Sequence, residues 1–149
     1  MPHVHAPGLE HRFTIVAEVD PMVEMGQHKT ENLVLVPITG GQVTGTLNGR
    51  VLPAGADWAR LETTSELVHV EARYLVRTDT DTIIEVFNTG IGHRTNNDTE
   101  IGYFATRPIF RTSDPQLEWL HRAVFLGWAS VVPGATTIEV FEVVAPEQN

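Results

Sequence analysis

The sequence contains no cysteine. That removes disulfides, thiolate metal sites and a cysteine nucleophile together, and it agrees with a reducing compartment. A basic stripe is also missing. The formal net charge is −9, and nucleic-acid binding needs clustered cations to displace counterions. An anionic membrane surface would repel such a chain. No apolar run approaches the ~20 residues that span a bilayer; the longest nearly apolar stretch runs from Val124 to Val132. The opening MPHVHAPGLEHRF lacks the apolar core of a secretory signal. These absences point to a soluble, cytoplasmic protein with neither nucleic acid nor membrane as partner. The three serines, Ser65, Ser113 and Ser130, sit in no nucleophile elbow. No Gly-x-Gly-x-x-Gly opens a helix and there is no phosphate loop, so no nucleotide cofactor is expected.

What the chain does have is β-sheet patterning. At 149 residues and 42% hydrophobic it suits one globular domain. We read 1–11 as an irregular arm and 12–149 as the domain. FTIVAEV from Phe13 is β-branched and apolar, and Asp20-Pro21 ends it. NLVLVPITGGQVTGTLNGRVL continues in strand composition, with Gly40-Gly41 as a turn or sharp bend and Asn48-Gly49 as a hairpin turn. Gly45 inside the pattern suggests a bulge or a close backbone approach. LVHVEARYLVR from Leu67 alternates, and TIIEVFN returns after the polar turn at Thr78 to Asp81. The segment 90–99 reads as a polar loop. Ile101 to Phe110 is a further strand. DPQLEWLHR is the one helical candidate, with Asp114 as cap and Pro115 at the first helical position. VFLGWASVV and TTIEVFEVV follow as strands around Pro133-Gly134. About eight short strands and one helix predict an antiparallel barrel, with a filled sandwich as the other packing.

Several polar residues stand among these strands. On 67–77, Val68, Val70, Ala72, Tyr74 and Val76 share one face, and His69, Glu71 and Arg73 share the other. Periodicity alone makes the polar face solvent. Turned toward a lumen, Glu71 and Arg73 would have to pair, and they would be able to polarise or protonate a ligand. Tyr103 and Arg107 share a mostly apolar face with Ile101, Ala105 and Ile109, which asks for a carboxylate near the arginine. Asp57-Trp58 follows a glycine-containing loop, where a carboxyl beside an indole suits a proton shuttle. Asn88 ends the returning strand. His3, His5 and Glu10 reproduce half of a cupin metal motif, but Trp58 stands where the second half needs a histidine after Pro53-Ala54-Gly55. No metal site is expected.

PITGGQVTGTLNGRVLPAGADW, EARY and YFATRPIFRTSDPQLEWLHR together carry a resemblance. The chain resembles the family called domain of unknown function 3237, from about Phe13 to Val144. The resemblance implies an antiparallel, calycin or lipocalin-like closed β-barrel whose motif positions line a cavity. It implies a pocket set of Asp57, Trp58, Glu71, Arg73, Asn88, Tyr103 and Arg107. On this reading Asp57 or Glu71 carries a proton, and Arg73 and Arg107 hold a carboxylate or an oxyanion. Tyr103 and Asn88 donate hydrogen bonds, and Trp58 stacks on the ligand. The expected function is cofactor-independent acid–base chemistry on a small organic or aromatic molecule, of isomerase, hydratase or lyase type. A ligand-carrying barrel, a purely structural barrel and a cupin-like metalloenzyme are the rivals. The strand VFLGWASVV suits a homodimer contact.

Overall fold

The computed structural model describes residues 4–95 and 100–147. Among them the chain forms ten strands: β1 (Gly8–Val19), β2 (Val23–His28), β3 (Glu31–Gly45), β4 (Gly49–Val51), β5 (Gly55–Glu62), β6 (Leu67–Thr78), β7 (Ile83–Arg94), β8 (Ile101–Arg111), β9 (Phe125–Val132) and β10 (Ala135–Val144). A single 3₁₀ helix covers Pro115–His121. Every strand pairing is antiparallel, and β1 bonds to both β10 and β3, which closes the sheet on itself. β4 and β5 lie end to end between β3 and β6, and β2 prolongs the line of β1 along β3. Counted this way the wall has eight staves, an all-β closed barrel.

The glycines set the curvature. Gly41 and Gly45 both have φ +131 inside β3, a region that side chains with a Cβ rarely enter. A Cβ on Gly45 would stand 2.6 Å from the Arg12 carbonyl oxygen and 2.8 Å from the Phe13 Cα. β1 and β3 therefore approach more closely than two side-chain-bearing strands can. Gly40-Gly41 is accordingly a bend within one strand, where the pairing slips between Glu18 and Val19. Asn48 makes the turn after β3, its amide donating to the Gly45 carbonyl at 2.8 Å and its Oδ1 accepting from the Gly45 N–H.

Two expected boundaries move. β1 begins at Gly8, opposite Val144, so the last residues of the expected arm belong to the wall; a bulge between His11 and Phe13 absorbs the change of composition. The expected loop from Gly90 is strand as far as Arg94. Gly90 and Gly92 are glycines for packing reasons. A Cβ on Gly92 would sit 2.8 Å from Ile101 Cγ2, and one on Gly90 would sit 2.8 Å from Thr106 Cγ2.

One end of the barrel is sealed. Phe13 and Phe125 meet Trp119 of the 3₁₀ helix, and Phe110 meets Phe13 and Phe125, all in edge-to-face contacts with ring centroids 5.4–6.2 Å apart. Leu120 is buried among them. Asp114 caps the helix by accepting from the Gln116 N–H at 2.9 Å, and it also accepts from the Thr82 hydroxyl at 2.9 Å. Asp114→Ala removes both bonds, and a loss of about 1 kcal/mol is expected in urea unfolding, with Asp114→Asn keeping most of it. An unchanged midpoint for the alanine variant would show the plug to be held by its aromatic contacts alone.

Candidate active site

Strand alternation decides which residues meet inside. Paired positions across the wall form a single row: Val36 beside Asp57, Asp57 beside Ala72, Ala72 beside Asn88, Asn88 beside Pro108. One step toward the sealed end, Tyr74 lies beside Val86, and Gly55 leaves room for it, since a Cβ there would stand 2.5 Å from the Tyr74 Cβ. One step the other way, Thr106 lies between Gly90 and Gly127. A Cβ on Gly127 would overlap the Thr106 hydroxyl. Asp57, Asn88, Tyr74 and Thr106 therefore gather on the inner wall of a cavity of about 460 Å³. Its remaining wall is largely aliphatic, with Val34, Ile38, Val68, Val70 and Phe104 among its residues. The mouth is at the end opposite the helix. Met22, Val131 and Val132 edge it, together with Asp20 and Arg94. The Arg94 guanidinium donates to the carbonyls of Glu62 at 2.6 Å and Ser65 at 2.8 Å, which ties the β5–β6 turn to the end of β7.

Asp57 is the lumen's distinctive group. One carboxylate oxygen, Oδ1, accepts from the Glu71 backbone N–H at 2.9 Å. Burial pushes its pKa up to about 6; the Glu71 N–H opposes that rise and the Glu71 charge adds to it. Burial, and then the charge of Asp57, also holds the Tyr74 phenol above its ordinary range. The Tyr74 hydroxyl, Asn88 Oδ1 and the Thr106 hydroxyl are buried and have no hydrogen-bond partner. Each such atom costs about 1–3 kcal/mol while it stays unsatisfied. Removing one should therefore stabilise the protein. For Tyr74→Phe a gain of about 1 kcal/mol in urea unfolding is expected; a loss would show that the phenol is satisfied in solution.

Of the seven residues expected to form the pocket, Asp57 and Asn88 line it. The other five are on the outer face. Trp58 follows Asp57 on β5 and is 53% exposed. Glu71 and Arg73 alternate outward from the inner positions Val70, Ala72 and Tyr74, so the periodicity-based assignment of that face to solvent holds and the pocket placement is corrected. The Arg73 guanidinium lies over the outer face of Phe87, 4.7 Å from the ring centroid. Tyr103 is 47% exposed, between His93 and Trp128 at centroid distances of 4.9 and 5.2 Å. Arg107 is exposed on the same side of β8. Both faces of β8 are largely apolar, so composition did not mark the inner one. Tyr74 and Thr106 were missed. Tyr74 did carry a signal, as the one polar-tipped residue on the apolar face of 67–77. Thr106 had only its alternation with Phe104 and Phe110.

Among the described residues, no three or more histidine, aspartate or glutamate side chains are grouped so as to hold a metal. His3 lies outside the described residues. Glu10 pairs with Arg12 at 2.8 Å. No helix of the described residues is long and apolar enough to cross a membrane.

Known proteins share this architecture. A protein of Rhodopseudomonas palustris named a UPF0311 protein is 33% identical over 143 residues, covering 88% of this chain and 93% of its own. The crystal structure of the R. palustris protein, described as a conserved protein of unknown function, superposes with a TM-score of 0.88 over 95% of this chain and 100% of its own. A beta-barrel like protein from Acinetobacter baumannii superposes with a TM-score of 0.85 at 26% identity, covering 96% and 99%. A structure described as an enzyme from Penicillium herquei shares the fold, with a TM-score of 0.76 at 21% identity over 96% and 98%. The family model described as protein of unknown function (DUF3237) matches residues 7–143, and the chain belongs to that family.

Proposed function

We propose that the barrel is a cofactor-independent acid–base enzyme that moves a proton on a small organic molecule held in its lumen. Asp57 is the proton carrier. The observation that carries this reading is one carboxyl, tuned to about 6, in a largely aliphatic cavity beside three unsatisfied neutral polar groups. A base with that pKa is ionised yet readily protonated near neutrality, as proton abstraction and return require. In the forward step the Asp57 carboxylate takes a proton from a carbon next to a carbonyl. The electron pair moves onto the carbonyl oxygen, where the Tyr74 and Thr106 hydroxyls donate hydrogen bonds. The carboxylic acid then returns the proton to the same carbon or, in an unsaturated ketone, to the far carbon of the conjugated dienolate, so isomerisation needs no other reactant. Asn88 orients the molecule from the far side of Ala72.

The reading is tested with 2-tetralone in D₂O, followed by NMR. Wild-type protein is expected to speed deuterium incorporation beside the carbonyl, with a rate that rises through pH about 6 and then levels. A rate equal to that of buffer, with the ketone bound, would make the barrel a carrier and not a catalyst.

A further inference from the structure

The same four groups restrict what the head of the ligand is able to be. The hydroxyls of Tyr74 and Thr106 each carry a proton that needs an acceptor, while Asn88 Oδ1 needs a donor. The second oxygen of Asp57 accepts when ionised. An ammonium head offers donors only and leaves the two hydroxyl protons unmatched. A carboxylate head offers acceptors only and brings a second negative charge beside Asp57. Among the described residues no cation lies near Asp57 to offset it. Arg73 and Arg107 are outside the wall, and Arg94 lies six residues along β7 from Asn88, roughly 20 Å by strand rise. A hydroxyl, phenol or enol offers a donor and an acceptor from one atom.

The rest of the cavity describes the body. From Asp57 to Leu61 at the mouth is four residues of β5, about 13 Å, along aliphatic wall. The collar beyond is apolar and exposed, at Met22, Val131 and Val132. It is held in place: the Val19 N–H donates to the Gly134 carbonyl at 3.0 Å, and the Asp20 N–H donates to the Pro37 carbonyl at 3.1 Å.

We infer that the barrel takes an uncharged molecule with a hydrocarbon body and a hydroxyl, phenol or enolisable ketone head, inserted head first so that the body reaches the collar. This rests on the proposed reading of Asp57 and its neighbours as the working end of the site. It also replaces the expectation that Arg73 and Arg107 hold a carboxylate or an oxyanion.

Three probes with one skeleton test it: 2-naphthol, 2-naphthoate and protonated 2-(aminomethyl)naphthalene, titrated calorimetrically at about pH 8, where Asp57 is ionised. The naphthol is expected to bind at least about tenfold more tightly than either ion, and Tyr74→Phe should remove most of that margin. Tighter binding of the carboxylate or of the ammonium overturns the inference, and so does binding of none of the three. Tetralone exchange separates the two claims. Exchange that persists alongside preferred naphthoate binding sinks only the neutral head. Naphthol preference without any exchange sinks only the catalysis.

Discussion

Asp57→Asn is expected to abolish turnover and to stabilise the protein at the same time. Loss of a positioned general base should lower the deuterium-exchange rate by about 10²–10⁴-fold, whereas asparagine is able to keep the hydrogen bond from the Glu71 N–H through its own oxygen. The stability effect follows from the raised pKa. The folded carboxyl titrates at about 6 and the unfolded one at 3.8. Between those values the folded state binds more protons than the unfolded state, so stability falls as pH rises. The loss is complete above about 6 and amounts to about 3 kcal/mol as an upper figure. Asparagine has no such titration. Urea unfolding should therefore show the variant gaining on wild type as pH is raised from about 4 to about 8. Parallel pH profiles would mean that Asp57 is solvated like a surface carboxyl, and the case for a tuned base would go with it.

Gly41→Ala should open the barrel. Alanine there must adopt φ +131, and its methyl would overlap the Val16 carbonyl oxygen with the Ala17 Cα only 3.2 Å away. The clash falls on the β1–β3 seam, where the sheet closes. Strain of about 1–3 kcal/mol adds to a steric cost of similar size. Gly26→Ala is the control. Gly26 also has positive φ, +103, but open space surrounds its missing Cβ. It should lose only the backbone strain, about 1–3 kcal/mol, without the steric cost. Equal urea midpoints for the two variants would show that the seam relaxes and that the close approach is unimportant.

The fold was legible because alternation is a local property. β6 announced itself through the inner positions Val68, Val70, Ala72, Tyr74 and Val76, a polar turn led into β7, and the hairpin formed as read. Gly45 was recognisable as a close approach for the same reason. The ends were less so, because pairing to distant partners decides them: Gly8 is strand through Val144, far along the chain. The site was half legible. Asp57 and Asn88 reached the lumen, but the charged and aromatic residues that looked most like chemistry faced outward. On β8 the outer face carries Ala105 and Ile109 beside Arg107 and Tyr103, so the inner face had no distinguishing composition. The choice of face on β6 followed the simplest rule, apolar inward, and the polar group that mattered there was the phenol on the apolar side. Glycines were the hardest to interpret. Gly55 and Gly90 read as loop and Gly127 as an ordinary strand position, yet they make the space into which Tyr74 and Thr106 fit.

The hydrogen bond from the Glu71 N–H to Asp57 has a stereochemical consequence. It occupies one carboxylate oxygen, so in the proposed reaction the other oxygen would exchange protons, and the proton would always leave from the same point on the wall. A molecule that enters from the one mouth with its head leading presents one face to β5. Protonation at a prochiral carbon would then give a single enantiomer, and the handedness of the product would record which side of the barrel carries the acid.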